Sequence, residues 1–233
     1  MIVSIHQPAY LPWLGYFERI ARSDVHVVLD HVQFEKNSFV NRNRVRTAEG
    51  ACWLTVPVRT SGRFGALPIR ELEIDGGSGW QKKHWRTIAQ AYARAPYFAE
   101  HAAFFEGVFA QPWTHLAPLC EEIARYLLDA FGISTPRVFS SALPVAGAKD
   151  ELVLNICRHL GAGTYLSGAL GRDYLRVEAF ADAGIDVVFQ DYEHPVYPQG
   201  RGWFEPNLAA VDLLFHCGPA SRDILMGRVA AEA

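Results

Sequence analysis

A histidine at the end of the first apolar run is the leading candidate for chemistry in this chain. His6 follows the run Ile2–Ile5, and Pro8 and Pro12 prevent that run from continuing as a strand or as a helix. A neutral imidazole held at so rigid a turn can act as a general base or donate a hydrogen bond to a phosphate. The structural alternative is that His6 bonds a backbone carbonyl and only orients the turn.

A second candidate for proton transfer is the carboxylate that ends the next apolar run. Asp30 follows Val25–Leu29, where it could accept a proton or bind a sugar hydroxyl, or else serve simply as a capping residue. We therefore predict His6 and Asp30 as catalytic residues. No set of possible ligands has metal-site spacing, and the four cysteines form no CxxC pair, so we predict no metal site. The sequence leaves any cofactor unknown.

Side chains suited to bind an anion are concentrated between residues 31 and 46. This segment holds four basic residues and one acid, a local charge of +3 in a chain of net charge −3. The order Asn41-Arg42-Asn43-Arg44 predicts an extended segment with the arginines on one face and the asparagines on the other. An arginine fork matches a phosphate or a carboxylate, although arginines in such a run are often merely solvated.

A glycine-containing segment, Ser167–Tyr174, connects a predicted strand to a predicted helix. Glycines there permit a ligand to approach the backbone, and an aromatic wall after His6 could stack on a sugar or a base. The residues that we predict to bind substrate or phosphate are Gln7, Tyr10, Gly15, Gln33, Asn41, Arg42, Asn43, Arg44, Ser167, Gly168, Gly171, Arg172, Asp173 and Tyr174.

The elements that must position these residues alternate between strands and helices. Met1 to Asp30 has the pattern of a strand, a helix and a second strand, which favours a parallel sheet. We predict a three-layer α/β fold with a largely parallel, Rossmann-like sheet and an inserted or appended helical region. The predicted divisions are an N-terminal α/β half (1–79) with a polar loop (30–46), a helical region (80–135) and a C-terminal α/β half (136–233), together forming one compact domain.

Composition limits the class of partner. Of the 233 residues, 50% are hydrophobic and 20% are charged, which suits a packed core. The net charge of −3 argues against general nucleic-acid or membrane-surface binding. No apolar run approaches the roughly 20 residues that span a bilayer, and the N-terminus lacks the pattern of a secretion signal. We expect a cytoplasmic protein with a small-molecule substrate, and an oligomer is possible.

Five motifs, in order from about residue 2 to about residue 220, resemble those of the WbqC-like family: "IHQPAYLPWLGYF", "DHVQFEKNSFVNRNRV", "HW…AYARAPYF", "YLSGALGRDYL" and "FEPNLAAVDLLFHCGP". The family is associated with bacterial O-antigen and other surface-polysaccharide gene clusters. The resemblance implies a place in the modification of sugars, polysaccharides or natural products. From the candidate residues we predict a transferase whose reaction is acyl or aminoacyl transfer to an amino sugar or a related amine on a nucleotide- or phosphate-bearing substrate. One departure is Ala209, where the family often has serine.

Two alternatives remain open at this stage. The layout of His6 and Gly15 is similar to nucleotidyltransferases with a His-x-Gly-His signature, but Tyr16 stands where the second histidine would be. The other alternative is a non-catalytic protein that binds a sugar nucleotide or a carrier.

Overall fold

A parallel sheet organises the computed structural model, which describes residues 1–63, 65, 67–200 and 202–228. The described strands are β1 (Ile2–His6), β2 (Val25–Val28), β3 (Arg42–Thr47), β4 (Gly50–Thr55), β5 (Arg137–Phe139), β6 (Thr164–Ser167) and β7 (Asp186–Phe189). The helices are α1 (Leu14–Ala21), α2 (Trp80–Tyr92), α3 (Phe98–Ala110), α4 (Leu116–Ala130), α5 (Lys149–Leu160), α6 (Val177–Ala181), α7 (Val211–Cys217) and α8 (Ser221–Leu225). The predicted α/β class is confirmed.

The strand order places β1 at the centre of the five-stranded sheet. The order is β5-β2-β1-β6-β7, and all neighbouring strands are parallel. The chain therefore moves from β1 outward through β2 to β5, then returns to the other side of β1 for β6 and β7. This order is that of Rossmann-type sheets, in which ligands bind beyond the carboxyl ends of the strands where the order reverses. Here that point lies between β1 and β6.

The alternation along β1 directs its side chains to two different layers. Val3 and Ile5 pack in one apolar cluster with residues of α5 and the buried ring of Phe180 on α6. Ser4 and His6 point to the opposite face, which α1 covers. Consecutive strand residues face opposite sides, so both polar residues of this otherwise apolar strand lie on the face that α1 covers.

The helical region has the three helices that the sequence predicts. Helices α2, α3 and α4 are separated near Pro96 and Pro112, as expected from the backbone restriction that proline imposes. One boundary was wrong: the predicted polar loop (30–46) ends earlier, because residues 42–46 belong to β3. Strand β3 pairs with β4 in an antiparallel hairpin, and the predicted alternation is confirmed, with Asn41 and Asn43 buried and Arg42 and Arg44 on the outer face.

Within the described residues, none of the helices combines the length and the apolar character needed to cross a bilayer.

Candidate functional site

His6 lies at the carboxyl end of the central strand, at the point where the strand order reverses. Its ring packs edge-on against Trp13 and Tyr16 of the following turn and helix, at centroid distances of 5.2 Å from each. Nδ1 donates to the carbonyl oxygen of Gln7 at 2.7 Å. Since a carbonyl can only accept, the neutral ring carries its proton on Nδ1 and presents a lone pair on Nε2. Among the described residues Nε2 has no hydrogen-bond partner.

A buried arginine that the sequence analysis did not select lies beside His6. Arg19, on the sheet-facing side of α1, is 3% exposed. Its Nε atom is buried without a partner, and the described residues offer its guanidinium no ion pair or hydrogen bond. The neighbouring Glu18 is engaged elsewhere, because its carboxylate accepts from Arg22 at 3.0 Å and from Gln190 at 2.5 Å.

Gly168 provides the space that the Arg19 guanidinium occupies. A Cβ atom at position 168 would collide with Nη1 of Arg19. A larger residue here would push the guanidinium of Arg19 out of its observed position, directly after the end of β6. The half-exposed ring of Tyr174 lies near enough to Arg19 that each influences the pKa of the other. We call the group formed by His6, Arg19, Gly168 and Tyr174 the switch-point crevice, after the place where Rossmann-type sheets bind their ligands.

Burial and the charge of Arg19 together determine the protonation of the histidines in this crevice. Burial, followed by the positive charge of Arg19, lowers the pKa of His6 from its usual 6.5 to about 3. The same two causes lower the pKa of His26, a buried residue of β2 whose Nδ1 bonds the Ser4 hydroxyl at 2.8 Å. Burial also lowers the pKa of Arg19 itself. The crevice thus combines neutral imidazoles with a buried cation that makes no hydrogen bond or ion pair to a described residue.

The predicted proton-transfer residue Asp30 makes a different set of contacts. One carboxylate oxygen accepts from the hydroxyl of Ser140 at 3.0 Å and the backbone N–H of Ser141 at 2.9 Å. The other accepts from the Ser141 hydroxyl at 2.7 Å. These bonds connect the end of β2 to the segment after β5. The geometry supports a structural role for Asp30, and its catalytic role stays a prediction from the sequence.

The predicted anion-binding arginines do not contact His6. The guanidinium of Arg42 lies over the Trp53 ring at 4.5 Å from its centroid, and Arg44 lies 5.7 Å from the same ring. Arg172 lies over the Phe189 ring of β7, at 4.5 Å. The sequence predicts that residues near 6, 42 and 172 meet around one anion-binding hollow, and these contacts do not bring the three arginines to His6.

Three predicted residues have their side chains bonded inside the protein. Asn41 donates to the carbonyl of Val56 at 2.9 Å, and Asn43 donates to the carbonyl of Leu11 at 2.5 Å. The hydroxyl of Tyr10 bonds Nδ1 of His84 at 2.7 Å. These contacts attach the turn after β1 and the hairpin to the protein core.

Two predicted glycines are closely covered by protein atoms. A Cβ atom at Gly15 would lie 3.0 Å from both the Trp13 and Tyr192 rings. At Gly171 it would collide with the hydroxyl of the buried Ser167, which donates to the carbonyl of Gly168 at 3.1 Å. These positions serve close packing around the crevice and leave no room for a ligand.

The other predicted residues lie apart from these contacts. Gln33 accepts from the backbone N–H of Leu67 at 2.8 Å and lines a cavity of about 300 Å³ beyond β2. Gln7 is half-buried and Asp173 is exposed, and neither side chain makes a hydrogen bond to a described residue. In the described part of the chain, no three His, Cys, Asp or Glu side chains are grouped as a metal ion would require.

The sequence analysis did not select Arg19, because the apolar pattern of α1 predicts that Arg19 lies on the polar, solvent-exposed face of the helix. The apolar positions Leu14, Phe17 and Ile20 define the buried stripe, and Arg19 lies outside it. The signal that could have identified it is its spacing from Tyr16, since residues three apart share a helix face. In the structure the whole helix from Leu14 to Ile20 is buried, so its polar residues are covered as well.

Comparison with known proteins identifies the family of this chain. The chain belongs to the WbqC-like protein family, which it matches over residues 7–224. It is 37% identical over 225 residues to the uncharacterized protein Rv1507c of Mycobacterium tuberculosis (strain ATCC 25618 / H37Rv), an alignment that covers 96% of this chain and 96% of the relative. No solved structure shows a significant match.

Proposed function

We propose that this protein is a group-transfer enzyme whose substrate carries a phosphate or a similar anionic group, bound by Arg19 in the switch-point crevice. The observation that carries the proposal is the Arg19 guanidinium, 3% exposed and without a hydrogen bond or ion pair to a described residue, at the reversal point of a Rossmann-type sheet. Because the guanidinium has five donors in a planar fork, a phosphate is a well-matched partner.

The energetic argument is that an unpaired buried charge needs a reason to exist. Removing a guanidinium from water costs several kcal/mol, roughly, unless a partner offsets the loss. The described residues supply no such partner for Arg19. An anionic substrate would supply it, so part of the binding energy comes from relieving a cost already present in the free protein.

His6 is suited to accept a proton once that anion is bound. In the free protein its pKa is lowered first by burial and then by the Arg19 charge. A bound phosphate neutralises that charge and adds an attractive one, so the pKa of His6 rises toward the range useful for general-base catalysis. Substrate binding and activation of the base are thereby coupled through a single arginine.

The reaction that this arrangement fits best is transfer of an acyl or aminoacyl group to the amine of an amino sugar. The amine nitrogen attacks the carbonyl carbon of an activated ester or thioester, the C–N bond forms, and the bond to the leaving group breaks. The proton lost by the amine passes to Nε2 of His6 and then to the leaving group. The membership of the chain in the WbqC-like family, with its surface-polysaccharide association, supports an amino sugar as acceptor.

Binding is tested first, by thermal shift with phosphate, pyrophosphate, nucleotide sugars and acyl-CoA thioesters. A ligand selective for the folded state raises Tm. We expect anions to raise the Tm of the wild type but not the Tm of Arg19→Gln. The control Arg158→Gln removes an exposed charge from α5, and anions should raise its Tm as in the wild type. An equal response of all three proteins would refute the role of Arg19.

Turnover separates the alternatives. We expect His6→Gln to retain anion binding and to lose acyl transfer, followed by mass spectrometry of the acceptor. If the protein instead releases pyrophosphate when it is given a nucleoside triphosphate and a sugar phosphate, its function is nucleotidyl transfer and not acyl transfer. Tight binding without turnover of any donor in the panel would assign the protein to the non-catalytic class.

A further inference from the structure

Three aromatic side chains form a continuous surface that starts at His6 and leads away from the crevice. The Trp13 ring, 5.2 Å from the His6 ring, lies 5.4 Å from Phe39, which in turn lies 6.0 Å from Trp53 on β4. Phe39 and Trp53 are each 45% exposed. We call Trp13, Phe39 and Trp53 the aromatic strip. Large aromatic rings exposed side by side commonly mark a binding surface.

Two arginines place positive charge along the outer end of the strip. Arg42 and Arg44 project from the outer face of β3 toward Trp53, with guanidinium carbons 4.5 Å and 5.7 Å from the ring centroid. Arg42 is already held, because it donates to the carbonyl oxygen of Asn37 at 2.6 Å.

Arg44 is more weakly engaged than Arg42. Its contacts are a 3.7 Å ion pair with Glu205 and a 3.4 Å bond to the carbonyl oxygen of Asn207. Both exceed the usual length of a charge-assisted hydrogen bond, so the fork of Arg44 can turn to a better acceptor. Stacking surface and available cation therefore lie together on the hairpin.

We infer that the aromatic strip binds the nucleoside end of a nucleoside diphosphate-linked substrate, with the base stacked on Phe39 and Trp53 and the phosphates between Arg44 and Arg19. The inference rests on the proposed function and names the substrate class for the same site. The ring-to-ring steps from Trp53 to His6 measure 6.0 Å, 5.4 Å and 5.2 Å, so a ligand that follows the strip contacts Phe39 and Trp13 before it reaches His6. That orientation directs the sugar past Trp13 to the lone pair of His6.

The charges distinguish this ligand from an uncharged oligosaccharide. Sugar rings also stack on aromatic faces, but a neutral chain gains little from two guanidinium groups beside the stacking surface. A base joined to phosphates uses both features, as single-stranded nucleic-acid sites do when they combine aromatic platforms with positive charge. The net charge of −3 on the whole chain favours a small ligand over a polymer with many phosphates.

The test is calorimetric binding of nucleoside diphosphates of the four common bases, pyrophosphate and a neutral trisaccharide. We expect at least one nucleoside diphosphate to bind more tightly than pyrophosphate, and Trp53→Ala to weaken that binding by about tenfold, as loss of one base stack predicts. Phe39→Ser should act in the same direction. The control Trp203→Ala, which removes a tryptophan 66% exposed at a different position, should have no effect.

Failure of this inference and failure of the proposed function give different results. If pyrophosphate binding depends on Arg19 while no nucleoside diphosphate binds better and Trp53→Ala changes nothing, the strip assignment is wrong and the crevice assignment stands. If nucleoside diphosphates depend on Trp53 but Arg19→Gln has no effect, the crevice assignment is wrong. Binding of the trisaccharide in place of the nucleotides would make the strip a glycan site and overturn the inference.

Discussion

Replacing Arg19 with methionine should make the unliganded protein more stable and abolish its affinity for anions. Arg19 is 3% exposed and its guanidinium has no partner in the described residues. Methionine has a similar reach, is apolar and adapts to irregular spaces, so it can fill the volume without a buried charge. A residue present for folding alone would show the opposite effect, since removal of a useful contact lowers stability.

The size of the effect follows from the cost of the buried ion. Replacing buried ionic groups with apolar side chains of similar volume is neutral or stabilises proteins by roughly 1–4 kcal/mol. A gain of about 2 kcal/mol raises Tm by roughly 4–8 °C in a chain of this size. The control Arg158→Met, at an exposed position of α5, should change stability by no more than about 0.5 kcal/mol.

Stability is measured by urea unfolding and by thermal melts. Each experiment is done with and without the anion that stabilises the wild type. The expected pattern is a higher midpoint for Arg19→Met without ligand and the disappearance of its ligand-dependent increase. A fall of several degrees in the unliganded variant would contradict the reasoning, because it would mean that the surrounding tyrosines already compensate the charge.

Three further outcomes are expected from the same geometry. Because the pKa of His6 is about 3 in the folded state and 6.5 in the unfolded state, the contribution of His6 to stability is fully present above about pH 6.5 and is lost as pH falls toward about 3. In denaturant titrations between these pH values, His6→Gln should reduce the slope of the unfolding free energy against pH by about 1.4 kcal/mol per pH unit. An unchanged slope would count against the buried neutral imidazole. Gly168→Ala should displace the Arg19 guanidinium and weaken anion binding by about tenfold in calorimetry, since its charge-assisted bonds lose their geometry; wild-type affinity would show that the guanidinium can move freely. Asp30→Asn should lower the free energy of unfolding by about 1–3 kcal/mol through its lost hydrogen bonds, whereas loss of turnover at unchanged stability would establish the catalytic role predicted from the sequence.

Much of the fold could be predicted because its signals are local. Apolar runs of β-branched residues identify β1 and β2, and the prolines at 96 and 112 divide the helical region as observed. The alternation of Asn and Arg in residues 41–44 correctly gave two faces. The hairpin itself was less evident, because its polar first strand resembles a loop until its pairing with β4 is known.

The candidate site was harder to predict because it depends on contacts between distant segments. His6 and Gly168 were selected from their positions at strand ends, and the strand order places both at the reversal point. Arg19 is revealed as a buried, unpaired cation only when β6 and the segment near residue 190 cover α1. Arg42, which the sequence predicts to bind substrate or phosphate, lies on the hairpin against the Trp53 ring.

The bond from Asn43 to the carbonyl of Leu11 has a consequence for how specificity can diverge. It anchors the inner face of the hairpin to the turn that follows His6, while the residues at 42, 44 and 53 project outward from the same two strands. Exchange of those outward residues alters what is recognised at the far end of the ligand and leaves the reacting end undisturbed. One scaffold can thereby be retuned to new substrates by two or three surface replacements, without rebuilding its reaction centre.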